Sequence, residues 1–127
     1  MKNLIRKILK EETNNKFIDK VVNYLEPPYF KNMESLGVTD NEYPLVLSKI
    51  FNQPVNIKGK DVHNEKGNVL YWELEDDYWD KWDYDHNGNE IYYENSNGDW
   101  INWEYDDNGN EIYVEDSNGN IRDNRYG

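Results

Sequence analysis

Apolar and polar positions follow two rhythms along this chain. Over residues 1–54 apolar side chains recur at spacings of three and four, as on one face of a helix. Leu4, Ile5, Ile8 and Leu9 form one stripe, and Phe17, Ile18, Val21, Val22 and Leu25 form a second. "TNN" at 13–15 either interrupts these stripes or lies on the surface of one long helix, and Pro27-Pro28 ends the helix. "YFKNMESLG" suits a short helix closed by Gly37. Thr39 and Glu42 have capping-box spacing, and Leu45, Val46, Ile50 and Phe51 supply an apolar face as far as Pro54. From residue 55 the rhythm changes to short aromatic runs broken by Asn-Gly and Ser-Asn-Gly, the mark of strands and hairpins.

This second half repeats itself. Gly67, Gly88 and Gly109 are 21 residues apart, within "KGNVLYWE", "NGNEIYYE" and "NGNEIYVE". "WDKWDYD" at 79–85 returns as "WINWEYD" at 100–106, and "ENSNG" at 94–98 as "EDSNG" at 115–119. Self-similarity at a fixed period signals a unit that is stable only beside its copies. The fold class is therefore α+β, with N-terminal helices followed by an antiparallel β-meander of 21-residue hairpin repeats. The helical region is 1–54 and the repeat region 55–127, read together as one structural domain.

Turn chemistry then sets the pairing. A two-residue primed turn at Asn87-Gly88 places Tyr84 opposite Ile91, Trp82 opposite Tyr93 and Lys81 opposite Glu94. A three-residue loop at "SNG", with Gly98 left-handed, places Tyr93 opposite Ile101 and Ile91 opposite Trp103. Gly67, Gly88, Gly98, Gly109 and Gly119 are the expected turn glycines. One face then carries Trp82, Tyr84, Ile91, Tyr93, Ile101, Trp103, Tyr105, Ile112 and Val114, and is expected to lie on a core. The other carries Trp79, Lys81, Asp83, Tyr92, Glu94, Trp100, Glu104, Tyr113 and Glu115, and is expected to be wet, acidic and aromatic.

"WDYDHNGN" at 82–89 and "WEYDDNGN" at 103–110, closed by Gly98 and Gly119, resemble the YD repeats of Rhs-type bacterial and phage proteins. The first copy, "DVHNEKGN", departs from that pattern by putting His63-Asn64 where Tyr-Asp stands in the others. In that family the repeats build a β-structured shell and are not catalytic. The resemblance implies a hairpin role for Tyr84, Asp85, Gly88 and Asn89, and for Tyr105, Asp106, Gly109 and Asn110. The whole chain is also similar to small uncharacterised proteins of environmental phages, which implies an origin and no function.

Charge is divided between the halves. Residues 1–60 hold ten Lys and Arg against seven Asp and Glu, whereas residues 61–127 hold four against nineteen. Such a field repels phosphate backbones, so direct nucleic-acid binding is not expected; it attracts cations or a basic protein. The chain has no cysteine, which excludes disulfides, thiolate metal sites and a Cys nucleophile. No apolar run approaches a membrane span, and "MKNLIRKILKEE" is no signal peptide. The expected location is cytoplasmic, in a host cell or associated with a virion. "LIRKILKEE" is either an ordinary amphipathic helix packed on the domain or a detachable address helix.

Three kinds of chemistry compete for this surface. "DYDHNGNEIYYE" has EF-hand spacing, with Asp83, Asp85, Asn87, Asn89 and Glu94 as candidate calcium ligands. Against that, Glu90 stands where such a loop has an apolar residue, and the flanks read as strands. No cofactor is implied beyond this candidate calcium. Catalysis has no signature: His63 and His86 are the only histidines, and no P-loop, nucleophile elbow or zinc motif is present. Binding leads. Trp79, Tyr92, Glu94, Trp100, Tyr113 and Glu115 form the candidate surface for a protein partner, a basic one by charge. Carbohydrate stacking and imitation of nucleic acid are the other readings of the same face, and self-association would protect the meander's edges.

Overall fold

The computed structural model describes residues 15–126, so the stripe at Leu4–Leu9 and the candidate address segment lie outside the described residues. The chain divides into two compact units, Met1–Pro54 and Val55–Gly127. The first is helical: α1 is helical over the described residues 15–24, followed by α2 (Tyr29–Ser35), a 3-10 turn (Asp40–Glu42) and α3 (Tyr43–Phe51). The second is an open eight-stranded antiparallel sheet with its strands in chain order. These are β1 (Asn56–Lys58), β2 (Asp61–His63), β3 (Val69–Glu73), β4 (Trp79–Tyr84), β5 (Glu90–Asn95), β6 (Trp100–Tyr105), β7 (Glu111–Asp116) and β8 (Ile121–Asp123).

The helix punctuation follows the local sequence. Gly37 takes φ +81 after α2, and the Val38 amide donates to the Met33 carbonyl at 2.9 Å, closing the orphan carbonyls of the last turn. The Thr39 amide and hydroxyl donate to Glu42 Oε1 at 2.9 and 2.8 Å. The amide bond is the larger influence holding the Glu42 carboxyl below its ordinary value. α3 ends at Asn52 in the left-handed region, before Pro54, which Asn tolerates better than most residues. Its buried residues are Val46 and Leu47, while Leu45 is 44% exposed, so the expected stripe is rotated by one position. Tyr29 meets Phe51 and Phe30 meets Tyr43 edge to face, at centroid distances of 5.9 and 5.7 Å.

In the sheet one turn geometry does most of the work. At Asp85–Asn89 the Gly88 amide donates to the Asp85 carbonyl and the Asp85 amide to the Asn89 carbonyl, which leaves a three-residue loop with Gly88 at φ +87. The expected two-residue primed turn is therefore wrong, because only the glycine, and not Asn87, is left-handed. The same bonds recur at Asn64–Asn68, Asn95–Asp99, Asp106–Asn110 and Asp116–Asn120. At Leu74–Tyr78 they recur with Asp77, φ 68, in the glycine's place.

The extra loop residue ought to throw the pairing out by one and flip every side chain. A β-bulge prevents this. Tyr84 pairs with Glu90, not with Ile91, while Asp83 pairs with Tyr92 and Trp82 with Tyr93. Ile91 is thus the unpaired residue that restores the register. Ile112 does the same between Tyr105↔Glu111 and Glu104↔Tyr113, and Leu70 between His63↔Val69 and Val62↔Tyr71. The Asn95 loop needs no bulge, and Tyr93 faces Ile101 as expected.

The expected core face is not sealed. Trp82, Tyr93, Ile101, Trp103 and Val114 are all half-buried, and the fully buried side chains of this unit are Val62, Leu70 and Tyr71. At the far edge β8 is short and exposed, with Arg122 paired to Glu111, a charged ending that discourages edge-to-edge pairing.

An alanine Cβ at Gly109 would meet no atom within 4 Å, so its cost is purely that of the left-handed backbone. Gly109→Ala is expected to destabilise the protein by about 1–2 kcal/mol, and Gly109→Asn by less, since Asn tolerates this conformation. Thermal melting of the two variants against wild type checks the order; equal losses would contradict it.

Candidate functional site

The acidic residues divide by task. At each Asx turn a side-chain oxygen collects the backbone N–H groups that the loop leaves unpaired. Asp85 Oδ1 accepts from the amides of Asn87 and Asn89, both at 2.9 Å, and Oδ2 from Asn89 Nδ2 at 3.3 Å. Asp106 accepts in the same way from Asn108 and Asn110, and Asp116 from Asn118 and Asn120. Asn95 uses its amide oxygen for Asn97 and Asp99. The first influence on Asp85 and Asp106 is the backbone bond from Asn89 and Asn110, and on Asp116 the side-chain bond from Asn120; all three carboxyls fall below their ordinary value.

The candidate calcium ligands are spread along this hairpin. Asp83 and Glu94 sit on β4 and β5, Asp85 and Asn87 in the turn, and Asn89 just past it. Asp83 Oδ1 accepts from the Tyr84 amide at 2.9 Å, and Glu94 lies 4.0 Å from Lys81. The flanking elements are strands, where an EF-hand has helices. Among the described residues no group of three or more His, Asp or Glu side chains is placed to hold a metal ion. No described helix is long and apolar enough to cross a membrane.

The register puts Trp79, Tyr92, Glu94, Trp100, Tyr113 and Glu115 on one side of the sheet, all half-buried. Glu94 pairs with Trp100, and Asn102 sits between Tyr92 on one neighbour and Glu115 on the other. Along each strand the tyrosine holds the carboxylate two residues on. Tyr71 donates to Glu73 at 2.5 Å, Tyr92 to Glu94 at 3.3 Å and Tyr113 to Glu115 at 2.9 Å. That bond chiefly raises the Tyr113 hydroxyl above its ordinary value, whereas partial burial leads for Tyr92. The two tryptophans are fixed by their backbones. Ser96 Oγ accepts from the Trp79 amide at 3.2 Å and Ser117 Oγ from the Trp100 amide at 3.1 Å, while each serine amide donates back to the same tryptophan's carbonyl.

A shallow groove of about 720 Å³ crosses this side, lined by Tyr92, Glu104, Tyr113, Glu115 and the two bulge residues Ile91 and Ile112. Trp103 and Tyr105, of the other parity on β6, also line the groove where the bulges lie. Arg125 closes one end. Its guanidinium lies 4.1 Å from the Tyr113 ring centre, 3.1 Å from Glu104, and on both oxygens of Asp123 at 2.9 and 3.0 Å. Arg125 was missed in the sequence, although it stands 21 residues after Glu104 with reversed charge, which was a legible signal.

The other side carries a second feature that the sequence reading passed over. Asp80, 6% exposed, accepts from the Tyr78 hydroxyl at 2.8 Å, from the Tyr93 hydroxyl and from the Trp72 indole. Trp72 and Trp82 meet edge to face at 5.2 Å, and Trp82 packs on Tyr93 at 5.5 Å. A buried carboxylate with this many donors is satisfied, and it ties β3, β4 and β5 together. Asp80 pairs with Asn95 across the β4–β5 hairpin. Compared with protein-family models and with curated proteins, the chain matches none.

The turn carboxylates carry a pH signature. A folded-state pKa below the unfolded one gives stability that is present above the unfolded value and lost as pH falls through the folded value. Asp106→Asn keeps the acceptor oxygen and removes the charge. It is expected to be less stable than wild type at pH 7, with the difference shrinking as pH falls through the ordinary Asp range and gone once pH is below the lowered folded-state value. Urea midpoints from pH 7 to pH 2 check this, and a constant difference would refute it.

Proposed function

We propose that this chain works by binding and not by catalysis, presenting the Trp79–Glu115 side of the sheet to a basic protein partner. One observation carries the reading: aromatic rings and carboxylates alternate across a half-exposed surface, each tyrosine hydroxyl holding a carboxylate in place. Trp and Tyr are the residues that most often anchor protein interfaces. Four cations against nineteen anions in residues 61–127 supply the steering field. The tethered serines and turn carboxylates hold the rings at low entropic cost to a partner.

On this reading the sheet is a stack of 21-residue hairpin repeats of the YD-like kind. Support comes from Tyr84-Asp85 and Tyr105-Asp106, which stand at the same place in alternate turns. The Tyr84 hydroxyl donates to the Val69 carbonyl at 2.7 Å and the Tyr105 hydroxyl to the Glu90 carbonyl at 2.8 Å, so each tyrosine latches its hairpin to the preceding one. The bulge residue accounts for a period that is odd: one hairpin of each pair needs one residue more than the other. Protein-binding repeats of this sort fit a cytoplasmic or virion-associated role.

The test uses purified proteins spanning acidic to basic isoelectric points. Basic proteins are expected to bind, with affinity falling at least tenfold between 50 and 300 mM salt. Trp79→Ala with Trp100→Ala is expected to weaken binding about tenfold or more. Binding that ignores the partner's charge, or that survives loss of both tryptophans, would overturn the proposal.

A further inference from the structure

We infer that Tyr92 is a guanidinium site, which takes an arginine side chain of the basic partner in the manner that Tyr113 takes Arg125. The inference rests on the binding reading above and names the chemistry of its partner. At Tyr113 the complete arrangement is visible. The ring stacks on the Arg125 guanidinium at 4.1 Å, Glu104 on the neighbouring strand accepts one N–H, and Asp123 on the other neighbour accepts two. The Tyr113 hydroxyl is tied to Glu115, which fixes the ring's tilt.

The same parts recur two strands away. Tyr92 has its hydroxyl on Glu94, Asp83 opposite it on β4 where Tyr113 has Glu104, and Asn102 opposite it on β6 where Tyr113 has Asp123. Two residues past Asn102 the chain has Glu104, where two past Asp123 it has Arg125. The Tyr92 position therefore has the ring and the carboxylates but an anion where its counterpart carries its own arginine. Lys81 lies 4.0 Å from Glu94 and neutralises part of that charge, so the acceptors are Asp83 and the Oε1 of Glu104, whose Oε2 already holds Arg125 at 3.1 Å. Tyr92 and Glu104 both line the open groove, so a side chain from outside reaches them. An arginine fits better than a lysine, because a planar guanidinium stacks on a ring and reaches carboxylates on both sides at once.

The probes are the capped tripeptides Gly-Arg-Gly and Gly-Lys-Gly, followed by NMR on the tyrosine ring signals of the intact chain. In wild type the Arg peptide is expected to shift the Tyr92 ring and leave Tyr113 unmoved, with an affinity about three- to fivefold above that of the Lys peptide. Tyr92→Phe keeps the binding and Tyr92→Leu loses it, circular dichroism confirming that both are folded. In Arg125→Ala the Tyr113 ring is expected to respond as well. Equal affinity for the two peptides, a Tyr92→Leu variant that binds normally, or a Tyr113 ring that stays silent in Arg125→Ala would each overturn the inference. Basic proteins that still bind while neither peptide does would also overturn it, leaving the broader binding proposal standing.

Discussion

The bond on which the sheet depends is short-range: a side-chain oxygen of Asp or Asn accepting two backbone N–H groups across a three-residue loop. It appears at Asn64, Asp85, Asn95, Asp106 and Asp116. The acceptor reaches both amides where the third loop residue turns left-handed, so glycine and the Asp or Asn form one device. Everything downstream is register. Three loop residues, where two would close a plain hairpin, require a compensating bulge in alternate hairpins, and Leu70, Ile91 and Ile112 provide it.

Register in turn decides what each face is. With the bulge, the aromatic residues Trp82 and Tyr93 stay on one side and Tyr92, Trp100 and Tyr113 on the other. A sheet built this way has rings on both sides, and its middle strands are half-exposed on both. Stability comes from cross-strand pairs and from bonds between side chains and backbone. The Asp80 cluster, the tyrosine latches at Tyr84 and Tyr105, and the serine clamps on Trp79 and Trp100 are all of this kind. A surface so fixed has little conformational entropy left to lose.

Much of this was legible beforehand, and the misses have physical causes. Helix ends at Gly37 and the Thr39–Glu42 pairing were readable because capping is local chemistry. The strand faces were readable because aromatic parity survives. The turn at Asn87-Gly88 was misread because Asn-Gly is also the signature of a two-residue turn; Asp85, two residues upstream, was the deciding residue. That error cancelled against the unseen bulge, so Trp82↔Tyr93 came out right while Tyr84↔Ile91 did not. Asp80 and Arg125 escaped because their roles depend on neighbours brought from other strands, which local pattern does not display.

The account is tested most directly at the Asp85–Asn89 turn, by cross-strand nuclear Overhauser contacts and the Asn87 backbone coupling constant in solution. The account predicts contacts from Tyr84 to Glu90 and from Asp83 to Tyr92, with Asn87 at negative φ and Gly88 alone at positive φ. Contacts from Tyr84 to Ile91, together with a positive φ at Asn87, would show a two-residue turn without a bulge. The bulges at Ile91 and Ile112, and the registers that depend on them, would then be wrong.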